Sequence, residues 1–129
     1  MSELQGFMVF DFDEGIASMS VTQNGLTFNK STVIKLDYPA YALLLIGAEQ
    51  KQIAVQACSE DTPKAQAFYK AQEPDKPVRS VRWNNKDLLN RLSELMEWDL
   101  QKGGYRIEGR LLPNEHAVLF DLTKAKELL

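Results

Sequence analysis

This chain of 129 residues predicts an α+β domain, and three observations predict it. Short apolar runs rich in β-branched and aromatic residues lie between turn signals. Two segments that follow asparagines carry apolar residues at helical spacing. The order strand, helix, hairpin also occurs twice, over about residues 20–58 and 78–122. One such unit leaves an apolar face uncovered, and two copies can bury theirs against each other. The expected architecture is two strand-helix-hairpin pseudo-repeats forming one mostly antiparallel sheet or barrel-like core with short helices. A mass of 14.6 kDa suits a single domain, 1–129, of a size that buries roughly two thirds of its unfolded surface.

In the first half, "GFMVFDF" is rich in strand formers, and Asp13-Glu14-Gly15 supplies a turn into "IASMSVTQ", a hairpin pattern. Asn24-Gly25 tolerates positive φ at both positions and predicts a type I′ turn into Leu26-Thr27-Phe28. Asn29 is placed to cap a helix from Lys30 to Leu36, with Val33 and Leu36 in i, i+3 contact and Pro39 ending it. "YALLLI" and "QIAVQA" flank the polar "GAEQK" as a hairpin. Their near-continuous apolar arms predict a central pair buried on both faces. Thr62 before Pro63 reads as an N-cap and a first-turn proline, so "PKAQAFYKA" predicts a short helix.

The second half follows the connection "QEPDKP", whose two prolines break regular structure. "VRSVRW" alternates as a strand, and Asn85 caps a helix whose stripe is Leu88, Leu89, Leu92, Leu95 and Met96. Asn90, Arg91, Glu94 and Glu97 fall on the opposite face, Asp87 complements the helix dipole, and Gly103-Gly104 ends the element. "YRIEGRLL" and "HAVLFDL", joined by "PNE", predict a last hairpin. "TKAKELL" predicts a C-terminal helix.

Composition excludes some classes. Hydrophobic residues at 44% and charged residues at 26% are ordinary for a globular chain and argue against disorder. The longest apolar run, Ala40 to Ile46, is far below the ~20 residues of a membrane span. Cys58 is the one cysteine and has no intrachain partner, and the N-terminal residues lack the pattern of a signal peptide, so a cytoplasmic protein is expected. The net charge of −3 offers no general attraction to phosphate. Locally the balance differs: residues 1–29 hold four acidic residues and no Lys or Arg, whereas residues 76–110 hold eight basic against five acidic.

The internal match sets Phe28-Asn29 over Trp83-Asn84 and Val33-Ile34 over Leu88-Leu89; the hairpins beginning at Tyr41 and Tyr105 then return at Ala54-Val55 and Ala117-Val118. Two resemblances follow from these residues. "GLTFNKSTVIKLDYPAYALLLI", "VRWNNKDLL" and "YRIEG…VLFDL" resemble a group of small uncharacterised proteins of Gram-positive bacteria and their mobile elements, which implies a bacterial protein and no particular activity. The first half, "VTQNGLTFNKSTVIKLDYPAYALLLIGAEQKQIAVQA", is similar in element order to the swapped-hairpin modules of AbrB- and MraZ-type regulators. Those modules bind DNA as intertwined dimers or tandem repeats. The basic residue and proline that usually follow the turn glycine are replaced here by Leu26 and Asn29-Lys30, so the resemblance implies architecture without contact residues.

Candidate chemistry is sparse. His116 is the one histidine and has no partners at catalytic or metal-ligand spacing; Cys58 reads as a small core residue. Asp11 and Asp13 share one face of their strand, but Phe10 and Phe12 opposite make them the solvated side of an amphipathic strand. No catalytic residue, metal site or cofactor is expected, and the chain reads as non-enzymatic; an enzyme using Asp11, Asp13 or His116 is the remote alternative. The most informative set is basic. Arg106 and Arg110 share a strand face with Glu108 between them, "VRSVRW" sets Arg79 and Arg82 on opposite faces and so can add only one of them to that stripe, and Lys86 follows on the helix. Guanidinium groups spaced along a strand suit phosphate contacts; a solvated, partly ion-paired face is the plainer account. The expectation is a binding module for nucleic acid, or one linked to transcription, with Arg82, Lys86, Arg106 and Arg110 as contacts. Protein–protein interaction is the alternative, and self-association as a homodimer through strands or the Leu88–Met96 helix is expected.

Overall fold

The computed structural model describes residues 3–8, 15–70 and 77–128. Among the described residues, nine strands and two α-helices follow in order: β1 (Ser18–Thr22), β2 (Gly25–Phe28), α1 (Lys30–Lys35), β3 (Tyr41–Gly47), β4 (Gln52–Cys58), β5 (Gln66–Ala67), β6 (Val81–Trp83), α2 (Lys86–Met96), β7 (Tyr105–Leu112), β8 (Ala117–Asp121) and β9 (Lys126–Glu127). This is a small, mostly-sheet α+β fold. The sheet order is β5-β3-β4-β8-β7-β1-β2-β6, with β9 beside β7, and every pairing among the described strands is antiparallel.

The sheet curls into an open half-barrel because alternate residues of each strand are large and apolar and point to one interior. Met19, Val21, Leu26, Phe28, Ile53, Val55, Ile107, Val118 and Phe120 are all buried. The two ends of the sheet approach each other: Trp83 of β6 donates its Nε1–H to the Ala67 carbonyl of β5 at 2.9 Å. Phe68, just beyond β5, meets the Trp83 ring edge-on at 5.6 Å.

Asn29 joins strand to helix. Its Oδ1 accepts from the Thr32 N–H at 3.0 Å as an N-cap and from the Ser18 N–H at 3.0 Å, while its Nδ2 donates to the Ile16 carbonyl at 2.9 Å. α1 ends at Lys35, before Pro39 can act, because Asp37 and Tyr38 turn into left-handed angles. α2 follows its sequence pattern closely. Asn85 accepts from the Leu88 N–H at 2.9 Å, Leu89 and Leu92 are buried against the sheet, and Leu95 is half-buried.

Several expectations change. The reversal between β1 and β2 is at Gln23-Asn24 rather than Asn24-Gly25, and Asn24 is not among the residues with positive φ. Gly25 instead begins β2 at φ +136°, where a Cβ would stand 2.6 Å from the Trp83 carbonyl oxygen; glycine is needed for that close approach. β3 lies next to the edge, with Ala42 its one fully buried residue and Leu45 exposed, so the apolar hairpin is buried on one face only.

The helix expected from Pro63 is absent among the described residues of that segment. The N–H groups of Phe68 and Tyr69 bond to Ala40 and Pro39 carbonyls at 2.8 and 3.0 Å, and Lys64 is left-handed, which an α-helix does not allow. "VRSVRW" contributes only Val81–Trp83.

α2 stops at left-handed Glu97, well before Gly103-Gly104. Gly104 serves a different need, since a Cβ there would lie 2.8 Å from the Val21 carbonyl oxygen. "TKAKELL" is not an α-helix but a 3-10 turn at Leu122–Lys124 followed by β9. A seven-residue helix has little stability alone, while β9 satisfies the backbone at the free edge of β7. The expected first strand falls largely on residues 9–14, outside the described residues, as do Asp11 and Asp13.

Two stability predictions follow. Leu92→Ala removes a fully buried side chain and should lower unfolding free energy by ~2–5 kcal/mol, read from a denaturant midpoint. Trp83→Phe retains a ring but removes the link to Ala67, and should lower it by about 1 kcal/mol in the same measurement.

Candidate functional site

Residues directly opposite in an antiparallel sheet place their side chains on the same face. The pairings Lys126 with Arg106, Arg106 with Ser20, Ser20 with Thr27, and Thr27 with Arg82 therefore form one row across β9, β7, β1, β2 and β6. Their neighbours on the same strands, Val21, Leu26, Val81 and Ile107, point into the core, so the row faces outward. Lys126, Arg106 and Arg82 are exposed, and Ser20 and Thr27 are half-buried. At a strand spacing of about 4.8 Å, Arg106 and Arg82 stand roughly 14 Å apart across the two hydroxyl residues. The guanidinium of Arg82 does not extend freely: its Nε–H donates to Thr27 Oγ1 at 3.2 Å, along the row.

Of the four basic residues expected from the sequence, Arg82 and Arg106 are brought into this row. Arg110 lies on the same face of β7, four residues on, but its own row runs through Leu119 of β8, Ala54 of β4 and Leu45 of β3. Lys86 stands apart in the first turn of α2. It lines a different hollow, of about 550 Å³, with Gln23, Asn90, Trp98 and Gln101. The Trp98 and Tyr105 rings stack on each other at 4.2 Å.

The sequence reading missed Ser20, Thr27, Lys124 and Lys126. A helix over "TKAKELL" sets residues two apart on different faces and so separates the last two, whereas Lys124 ends a 3-10 turn and Lys126 begins β9. Arg106, Lys124 and Lys126, with Glu108, enclose a hollow of about 360 Å³ at the end of the row. Asp121 holds the turn that leads into it. Its Oδ1 accepts from the Thr123 hydroxyl at 2.6 Å and the Thr123 N–H at 3.1 Å, capping the 3-10 turn that carries Lys124. The Thr123 hydroxyl bond, with help from the backbone bond and the Lys124 charge, holds the Asp121 carboxyl below its ordinary 3.8 against the opposing effect of burial.

His116 is exposed at the left-handed end of the 3-10 turn Pro113–Glu115, and Cys58 is half-buried at the end of β4. Among the described residues no group of three or more His, Cys, Asp or Glu is placed to hold a metal ion, and no helix is long and apolar enough to cross a membrane. The fold and this face define a small α+β domain with a curled antiparallel sheet and a basic outer row. The chain matches no family model, no curated protein and no solved structure.

The Asp121 cap is testable. Because its folded pKa is depressed, its contribution is present above the ordinary carboxylate pKa and is lost as pH falls through the lowered value. Thr123→Val removes the largest cause, so the Asp121 carboxyl should titrate at a higher pH than in the parent protein, measured by NMR across pH 2 to 6, about the carboxylate range.

Proposed function

We propose that this domain is a non-enzymatic binding module that receives a nucleic-acid backbone along the outer row of β9, β7, β1, β2 and β6. The observation that carries this reading is the strand register, which aligns Lys126, Arg106 and Arg82 with two hydroxyl residues on a single exposed line. Guanidinium groups bind phosphate with two parallel N–H donors, and serine or threonine hydroxyls add neutral contacts to the same backbone. The overall charge of −3 would then keep binding local to this face.

The reading includes an internal duplication, favoured by the symmetry of two pairings. Exchanging Phe28 with Trp83 and Leu26 with Val81 turns the pair Leu26–Trp83 into Val81–Phe28, which is itself a pair of the sheet. Val55 faces Val118, its own counterpart in the repeat alignment. A pseudo-twofold axis through the Thr27–Arg82 and Val55–Val118 pairs accounts for both. The helix caps differ by one residue, Asn29 in the first unit and Asn85 in the second, so the second unit would carry an insertion there, and the helices align with Val33 over Leu89 rather than over Leu88. Such a two-unit domain would be the tandem form of the swapped-hairpin modules that the first half resembles. A bacterial cytoplasmic, transcription-linked role is the setting that fits it.

Anisotropy titration of labelled single- and double-stranded DNA and of RNA tests the reading. Binding should weaken steeply as salt rises from about 50 to 200 mM, because neutralised phosphates release counterions. Arg82→Glu with Arg106→Glu should abolish it, whereas Lys86→Glu should affect it less. Absence of binding to all three at tens of micromolar protein, the range of roughly 10⁻⁴ to 10⁻⁶ M in which even non-specific DNA binders associate, would end it.

A second reading rests on the other half of the outer face. There Leu43, Leu45 and Leu119 point away from the core and Leu45 is 44% exposed. Contiguous outward leucines suit a protein partner or a second copy. If a homodimer forms there, Leu45→Lys should convert it to monomer in light scattering.

A further inference from the structure

Resting on the nucleic-acid reading, we propose that the hollow bounded by Arg106, Glu108, Lys124 and Lys126 is a seat for a terminal phosphate, the phosphomonoester at one end of a nucleic-acid strand. The three basic side chains and one carboxylate that line about 360 Å³ leave a surplus of two positive charges, which the Asp121 carboxylate near Lys124 offsets in part. A phosphomonoester carries about −1.5 to −2 at neutral pH, whereas each internal phosphodiester carries a single charge. The hollow thus matches an end group better than a passing backbone.

Arg106 and Lys126 are directly paired residues of β7 and β9, and Lys124, the last residue of the 3-10 turn, lines the hollow with Glu108 of β7. The segment carrying both lysines is fastened on either side. Leu122, 1% exposed, anchors the turn, and its N–H bonds to the Lys51 carbonyl at 3.0 Å; beyond β9 the Leu128 N–H bonds to the Gly104 carbonyl at 2.9 Å. Asp121 caps the turn through Thr123. Lysine ends placed by a fastened strand lose less freedom on binding an anion than lysines on a loose tail.

No ion pair with another described residue occupies Arg106, Lys124 or Lys126, so their donors are open to a ligand. Glu108, whose ionised carboxylate accepts hydrogen bonds and donates none, has the chemistry to accept one from a sugar hydroxyl beside the phosphate. A cavity of this volume falls in the range of roughly 300–1,000 Å³ that small-ligand sites occupy, large enough for a phosphate with its sugar. Its place at the β9 end of the row also fits a strand terminus. From there the chain can continue over Ser20 and Thr27 to Arg82.

The test compares one oligonucleotide sequence in three forms, 5′-phosphorylated, 3′-phosphorylated and unphosphorylated, by anisotropy at low salt. One phosphorylated form should bind at least about tenfold more tightly than the unphosphorylated form, a difference of about 1.4 kcal/mol. Millimolar inorganic phosphate should erase that difference. The exposed pair Lys124→Gln and Lys126→Gln should bring all three forms to one affinity, with the fold confirmed by circular dichroism. Equal binding of the three forms to the parent protein would overturn the terminal-phosphate seat while leaving backbone binding in place. If no oligonucleotide binds, inorganic phosphate is titrated into ¹⁵N-labelled protein. Shifts confined to the Arg106, Lys124 and Lys126 amides would retain the phosphate seat and remove the nucleic-acid reading, and their absence would remove both.

Discussion

The structure depends on what happens around Phe28. Its ring is fully buried and lies 5.6 Å from Phe68, 5.2 Å from Trp83 and 6.0 Å from Phe120, all in tilted or edge-on arrangements. Those partners come from different parts of the sheet: Phe120 from the middle strand β8, Trp83 from one edge and Phe68 from beside the other. An antiparallel sheet with twist would otherwise splay its ends apart and expose both edges. Aromatic packing at this junction, with the bond from Trp83 to Ala67, instead gathers the ends over one interior. Val33 of α1 and Leu89 and Leu92 of α2 join the same core.

Closing the interior also decides the exterior. Once Met19, Val21, Leu26, Phe28 and Ile107 are committed inward, the intervening residues of the same strands have no choice of face, because a slip of one residue would exchange the two sets. The outward residues of β1, β2 and β6 include Ser20, Thr27 and Arg82, and β7 adds Arg106, Glu108 and Arg110; β3 and β8 instead present Leu43, Leu45 and Leu119, with Gln52, Ala54 and Gln56 of β4 between them. β7 spans the boundary. Its first half pairs with β1 and β9 and displays Arg106, while its second half pairs with β8 and displays Arg110 beside Leu119. The two halves of the sheet thus present different outer faces.

Asn29 shows how a single side chain connects local and global order. It caps α1 as its sequence position suggests, and the same oxygen accepts from Ser18 on β1 while the amide donates to Ile16. Thr32, fully buried, brings its hydroxyl within 2.8 Å of Asn29 Oδ1 and 3.2 Å of the Ser18 carbonyl, so the helix start and β1 share one polar knot inside the fold. Buried polar groups of this kind are stable only when satisfied, and none of the described buried side-chain atoms lacks a partner.

The sequence by itself determined the elements whose cause is local. Asn29 and Asn85 cap helices because a side-chain oxygen beside free N–H groups needs only neighbouring residues. The leucine stripe of α2, the hairpin of "YALLLI" with "QIAVQA", and the shared face of Arg106 and Arg110 follow from periodicity alone. What only the tertiary structure decided depends on partners distant in the chain. "PKAQAFYKA" and "TKAKELL" have helical composition, yet Phe68 is drawn into the aromatic junction and Lys126 is paired to Arg106, and both segments are extended there. The basic row belongs to the same kind of fact. Arg82, Arg106 and Lys126 become neighbours only through the order of strands and the register between them. That register is set by which apolar residues fit the common interior, a packing condition that no local spacing expresses.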